Sequence, residues 1–210
     1  MKFDDIKNNK NIYLYHGDLD PRNINKNKIK FIGLSINKCD NRHIRHDVNK
    51  KLDLLDNSVD ILQTEDVLEH IEYDNLVKIF NEIYRVLKPG GLFRLSVPDY
   101  RCDIFYNRTI KRGNELIFDP GGGGKWNSKK RKVINGGHVW FPNYEKVLEI
   151  YKKSDFDMDK VEFLEYYDQK GNPVMKGINY EKGYIARTSD NDDRVQNPKR
   201  TMSVVVDCYK

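Results

Sequence analysis

The sequence predicts an α/β fold on a mostly parallel sheet, and three observations carry that prediction. Residues 56–91 read as a buried strand, a polar strand end, an amphipathic helix and a Pro-Gly-Gly turn into another strand, which is half of a parallel α/β unit. Small, acidic and hydrogen-bonding residues follow each strand-like run in the first hundred residues, where open parallel sheets bind ligands. Two late β-prone runs have no helix between them, so they are expected to form an antiparallel hairpin at the sheet edge.

Taken in order, Ile12-Tyr13-Leu14-Tyr15 is β-prone and stops at His16-Gly17-Asp18, and Phe31-Ile32-Gly33-Leu34-Ser35-Ile36 stops at Asn37. The connection between them holds Pro21 and a run of Asn and Lys. It barely reaches the dozen or so residues of a parallel crossover, so little helix is expected there. Val59-Asp60-Ile61-Leu62 is the next strand. Leu76, Val77, Ile79, Phe80, Ile83, Tyr84 and Leu87 then recur at helical spacing, with Asp74 able to cap the start and Lys88-Pro89-Gly90-Gly91 to stop it. Residues 92–97 form a strand closed by Pro98-Asp99.

Residues 100–137 break the pattern with glycines at 121–124, a basic run at 129–132 and Gly136-Gly137, and read as an insertion or mobile lid. Val147, Leu148 and Tyr151 restore a helix. Strands over 161–166 and 202–209 are joined by a polar excursion over 167–200, and the whole of 1–210 is expected to be one domain.

Composition narrows the class. A hydrophobic content of 38% with 11% aromatics lies above the disordered range, and a net charge of +5 is most simply a solvated surface. Cys39, Cys102 and Cys208 are odd in number and far apart, which supports neither a disulfide framework nor a zinc ribbon. His43-x-x-His46 lacks a third ligand at suitable spacing, so no metal is expected. There is no apolar run of about 18 residues and no secretory signal at Met1-Lys2-Phe3, so a soluble cytoplasmic protein is expected.

The order strand-Gly-Asp, strand-polar, His-Asp-Val, D-N-S-V-D-I, V-L-E-H-I, L-K-P-G-G and L-S-V-P-D resembles a class I S-adenosylmethionine-dependent methyltransferase. G-G-H-V-W-F at 136–141 and A-R-T-S-D-N-D-D-R-V at 186–195 extend the likeness to the type 11-like, glycan-associated members. These include methyltransferase domains of large-DNA-virus (chlorovirus-type) proteins that also carry glycosyltransferase domains. The resemblance implies a Rossmann-like fold, S-adenosylmethionine as cofactor, a carbohydrate or glycan acceptor and a possible fusion to glycosyltransferase domains. It places Gly17 and Asp18 along the methionine part of the cofactor, Asn37 at the ribose, Asp47 and Val48 about the adenine, and Thr64 and Glu65 near the sulfonium. Two departures stand out: the family's G-x-G is reduced to Gly17-Asp18-Leu19, and Asn37, with Ser35 beside it, stands where the family has an acid.

Methyl transfer to a hydroxyl needs a group that takes up the proton. His138, Asp99, Glu69 and His70 are the candidates, with His138 the expected base and Asp99 orienting the acceptor. His70, Trp140, Tyr144, Arg187, Asp193 and Arg194 are expected to bind it, since aromatic faces and charged groups suit a polyhydroxylated sugar. By resemblance the acceptor is a glycan hydroxyl, with a terminal 6-deoxyhexose such as rhamnose as the sugar it suggests. Two other readings remain open. Lys125, Lys129, Lys130, Arg131 and Lys132 beside Trp126 suit a nucleic-acid (RNA) methyltransferase, although no target-base motif accompanies them and nucleic acid is disfavoured as a partner. The eroded glycine motif suits a non-catalytic binding module that kept the cofactor fold.

Overall fold

The computed structural model describes residues 1–19 and 21–210. The first part of the chain forms β1 (Tyr13–His16), α1 (Pro21–Lys26), β2 (Ile32–Ser35), β3 (His43–Arg45), β4 (Val59–Glu65), α2 (Leu76–Val86) and β5 (Leu87–Pro98). Residues 100–137, expected as a lid, hold α3 (Asp103–Arg108) and two small hairpins, β6 (Ile110–Arg112) with β7 (Glu115–Phe118) and β8 (Lys125–Asn127) with β9 (Lys132–Ile134). The chain ends with α4 (Tyr144–Lys153), β10 (Val161–Tyr167), β11 (Pro173–Met175) and β12 (Ser203–Tyr209).

Among the described residues one eight-stranded sheet runs in the order β11-β10-β12-β5-β4-β1-β2-β3. The strands β3, β2, β1, β4 and β5 are mutually parallel. The two late strands are antiparallel neighbours, as expected, but β12 is inserted between β5 and β10, and the edge belongs to the short β11. The strand β3 is too short and too polar (His43-Ile44-Arg45) to stand out in the sequence.

Strand alternation gives the sheet two unlike faces. One face carries Leu14, Leu62, Phe93, Leu95, Val204 and Val206, and α2 covers it with Leu76, Ile79, Phe80, Ile83 and Val86. Phe80 meets Phe93 and Tyr151 edge-on at centroid distances of 5.2 and 4.9 Å, tying α2 to the sheet and to α4. The cap expected from Asp74 is not formed: Asn75 holds the N-cap position with no side-chain bond. The α4 cap is made, with Asn143 accepting from the Lys146 amide.

The opposite face is buried and polar. Gln63, Glu65, Arg94, Ser96, Glu165 and Asp207 lie beneath the C-terminal excursion, which has no long helix or strand of its own. An irregular covering layer brings unpaired backbone groups that must find partners, and the sheet supplies them. Arg94 pairs with both oxygens of Asp207 at 2.7 and 2.6 Å and donates to the carbonyls of Gly183 and Asn179. Gln63 donates to the Tyr184 carbonyl, Glu165 accepts from Ser189 and Thr201, and Glu65 accepts from the amides of Ala186 and Arg187.

The Glu65 clamp carries a pH dependence. Burial, and then the Asp66 charge, push its carboxyl from 4.5 up to about 7. The folded chain keeps a proton that the unfolded chain loses, so this contribution is complete below about pH 4.5 and is lost as pH rises through about 7. Glu65→Gln keeps an acceptor for both amides, which bond the same carboxylate oxygen, and removes the ionisation. Between about pH 5 and pH 8 the variant is expected to lose less stability than the parent, by about 2–3 kcal/mol in urea unfolding. Equal pH slopes for the two proteins would contradict this role.

Among the described residues no helix is long and apolar enough to cross a membrane.

Candidate functional site

The carboxyl ends of β1, β2 and β4 form the first part of the site. Gly17 follows β1 at φ +103, a conformation that strains any side chain, and a Cβ there would stand 3.2 Å from Val67 Cγ2. The backbone conformation and the Val67 side chain both require glycine here, and Gly17 is partly exposed at the end of β1. Asp18, two residues beyond β1, is exposed and lies beside the end of β2, where Lys38 Nζ reaches its carboxylate at 3.1 Å. Burial alone would raise the Asp18 pKa, but hydrogen bonds from Ser35 and Lys38 hold it below the ordinary range. Ser35 itself is spent: its Oγ accepts from the amides of Asn37 and Lys38. Asn37 is exposed, and beside it Ile36 is 61% exposed, an apolar face at the mouth of the sheet. Beneath this edge, His16 Nδ1 and Thr64 Oγ1 on paired residues of β1 and β4 are buried with no hydrogen-bond partner among the described residues. Burial, and then His46, lower the His16 pKa to about 3, so its imidazole is neutral.

Some expected ligands are engaged elsewhere. The Asp47 carboxylate closes its own turn on Asn49, Val48 packs against the main core, and Glu65 holds the C-terminal excursion. His43 is a latch: Nδ1 pairs with Asp40 at 2.8 Å, while Nε2 accepts from the Leu19 amide.

The second part is a buried proton-handling centre beyond β4. A turn at Leu68–His70 follows the strand, and the Val139 amide donates to the Glu69 carbonyl, bringing His138 against Glu69 and His70. Gly122 backs onto the imidazole: a Cβ there would fall 2.6 Å from His138 Cγ. Tyr100 donates to Asp119 Oδ2 at 2.6 Å and lies 2.5 Å from His138 Nδ1. The phenol has one proton, and Asp119 takes it. Nδ1 of His138 must then carry the other proton and donate it to the phenol oxygen, leaving the lone pair on Nε2.

Arg108 fixes the far end of this chain, donating to Asp119 Oδ2 at 3.0 and 2.6 Å. Burial works against ionising Asp119, but the bonds from Arg108 and Tyr100 outweigh it and keep its pKa low. Burial, and then His70, lower the His138 pKa to about 3, so its imidazole is neutral. Its Nε2 lies 3.6 Å from Glu69 Oε1. Glu69 is fully buried, neither carboxylate oxygen has a hydrogen-bond partner among the described residues, and burial raises its pKa well above the usual range.

Next to it Asp66 adopts φ 55, an uncommon backbone state for a residue other than glycine, and accepts from Arg187 at 3.0 Å. Arg187 thus lies beside the site through its pair with Asp66. Asp193 and Arg194 lie farther along the excursion, where Arg194 pairs with Asp192. Asp99 is a backbone staple, accepting from the amides of Arg101 and Tyr167 with no exposed surface. Trp140 packs in the core, its Nε1 donating to the Leu68 carbonyl and its ring on Tyr73, and it also lines a cavity that it shares with Tyr100. Tyr144 stacks on Tyr166 at 4.5 Å beside the sheet. His70 is exposed and meets His138 edge-on at 4.8 Å.

Tyr100 also lines a cavity of about 880 Å³, whose wall includes Tyr106, Phe141, Asn114, Asn143 and Gln169. Sequence reading missed Tyr100, Arg108, Asp119 and Ile36. Only Ile36 carried a signal, as an apolar residue between two polar ones at a strand end.

The methyltransferase-domain family matches residues 6–95. A probable S-adenosylmethionine-dependent methyltransferase of Mycolicibacterium smegmatis is 28% identical over 116 residues, covering 55% of this chain and 35% of that protein. The chain thus spans about a third of the length of this curated relative. A solved methyltransferase from Archaeoglobus fulgidus superposes with a TM-score of 0.54 at 15% identity, covering 99% of this chain and 90% of that one. One from Mesorhizobium loti gives 0.52 at 15%, covering 95% and 90%. At these identities the likeness is one of fold: a Rossmann-like methyltransferase fold, mostly parallel, with antiparallel strands at the C-terminal end.

Proposed function

We propose that this chain, a class I S-adenosylmethionine-dependent methyltransferase by fold and domain, methylates a hydroxyl group of a sugar. The cofactor supplies a methyl group already activated on a sulfonium. The residues at the β1–β2 edge fit it: the partly exposed Gly17, the Ile36 face, the Asn37 amide and the Asp18 carboxylate would hold it. The second-strand acid that usually binds ribose is missing here. Asp18, beside Ser35 at the end of β2, offers a carboxylate in its place.

The observation that carries the choice of acceptor is the buried centre of Glu69 and His138. Oxygen acceptors must lose a proton as they attack, so a neutral imidazole with an oriented lone pair has a use there. Tyr100, Asp119 and Arg108 orient the ring and keep the proton on Nδ1, in the way an Asp orients the histidine of a catalytic triad. The cavity that shares Tyr100 supports a sugar, with Tyr106 and Phe141 for apolar ring faces and three side-chain amides for hydroxyls.

The test is methyl transfer by the full chain to a panel of mono- and oligosaccharides, RNA and small amines, read by mass spectrometry. A gain of one methyl on a sugar is expected, with 6-deoxyhexoses such as rhamnose in the panel. Methylation of RNA or an amine, with every sugar unchanged, would overturn the proposal.

A further inference from the structure

We propose that Glu69, His70 and His138 together hold a divalent transition-metal ion beside the acceptor. The inference rests on the sugar-hydroxyl reading above and supplies the means by which that hydroxyl is acidified. The three residues each offer a ligand atom, and these atoms lie within 4.8 Å of one another. Two imidazoles and one carboxylate on one side of a site, with open positions opposite, form a recurrent set for first-row divalent metals.

Independent observations favour an ion over three side chains that merely happen to adjoin. Glu69 has no exposed surface and neither oxygen has a hydrogen-bond partner among the described residues. A buried carboxylate without partners is costly, and a cation removes that cost. Metal-bound histidines usually have the other ring nitrogen tied to a second partner, and His138 follows that pattern: its Nδ1 is engaged by Tyr100, which leads to Asp119.

Ligand bonds of about 2.1 Å would draw the three groups together by about 1 Å, which the exposed His70 can accommodate. Imidazole donors favour ions such as Fe²⁺, Zn²⁺ or Co²⁺ over Mg²⁺. An ion at this place would bind the acceptor hydroxyl at an open position and lower its pKa. With its Nε2 lone pair given to the ion, His138 would serve as a ligand, and the proton of the acidified hydroxyl would pass to solvent water.

The test uses the full chain, stripped with EDTA and titrated with Co²⁺, following visible absorption and stoichiometry. One Co²⁺ per chain is expected, and Glu69→Gln and His138→Asn should each weaken binding by about 10- to 100-fold. Calorimetry with S-adenosylhomocysteine should give the same affinity in all three proteins, as a check that they are folded. Absence of Co²⁺ binding by the parent, or equal binding by both variants, would overturn the site. Full methyl transfer to a sugar in EDTA would overturn the ion and leave the sugar reading standing. A Co²⁺-loaded chain that methylates no sugar would overturn the sugar reading instead.

Discussion

Replacing His138 with alanine is expected to lower methyl transfer by about 10³-fold while leaving S-adenosylhomocysteine affinity unchanged. The side chain is 5% exposed, its Nδ1 is fixed by Tyr100, and its Nε2 lies 3.6 Å from Glu69. Loss of the imidazole therefore removes the group that acts on the acceptor's proton, and the cofactor residues keep their places. Tyr100→Phe separates chemistry from packing. It retains the ring but cuts the path from His138 to Asp119, so kcat should fall with little change in KM for the sugar. Equal turnover by His138→Ala and the parent would remove His138 from the mechanism.

The second large effect is on stability. Arg94 has no exposed surface, and its guanidinium holds Asp207 together with two carbonyls of the covering excursion. Arg94→Met leaves a buried aspartate and the Asn179 and Gly183 carbonyls without this partner. Breaking a buried pair on one side costs about 3–5 kcal/mol, which for a chain of this size lowers Tm by about 10–15 °C. Adding Asp207→Leu removes the stranded charge and should restore part of the loss, but the two carbonyls still lack their donor. Thermal unfolding of the parent and both variants measures this, and a Tm within about 2 °C of the parent for Arg94→Met would contradict the assigned role.

These residues also mark where sequence reading stopped. The helix-covered face was legible because Leu76, Ile79, Phe80 and Ile83 repeat at helical spacing, while Leu62, Phe93 and Leu95 supply the apolar strand positions beneath them. The polar face left a trace in Gln63, Glu65, Arg94, Ser96 and Asp207, which alternate with those apolar residues. That alternation normally indicates solvent, and here it indicates a covering of loop backbone that needs hydrogen-bond partners.

In the site, His138, Glu69 and His70 were each named from the sequence, and the structure places them beside one another. Trp140 lines the cavity that shares Tyr100 and also packs in the core, while Asp99 is fully buried. An indole or a carboxylate next to a site residue can equally serve the core, and each here is tied to backbone by hydrogen bonds. Tyr100, Asp119 and Arg108 come together through the folding of residues 100–137, whose glycines and lysines suggested a lid and gave no sign of a packed wall.

The central claim is that the methyl group ends on a sugar oxygen. Its most direct measurement is nuclear magnetic resonance of the product formed from S-adenosylmethionine with a carbon-13-labelled methyl and a rhamnose-terminated oligosaccharide. A labelled methyl scalar-coupled through oxygen to a sugar ring carbon, present with the parent chain and absent with His138→Ala, is the predicted result. Label found on nitrogen or carbon, or a sugar methyl signal undiminished in His138→Ala, would contradict the account.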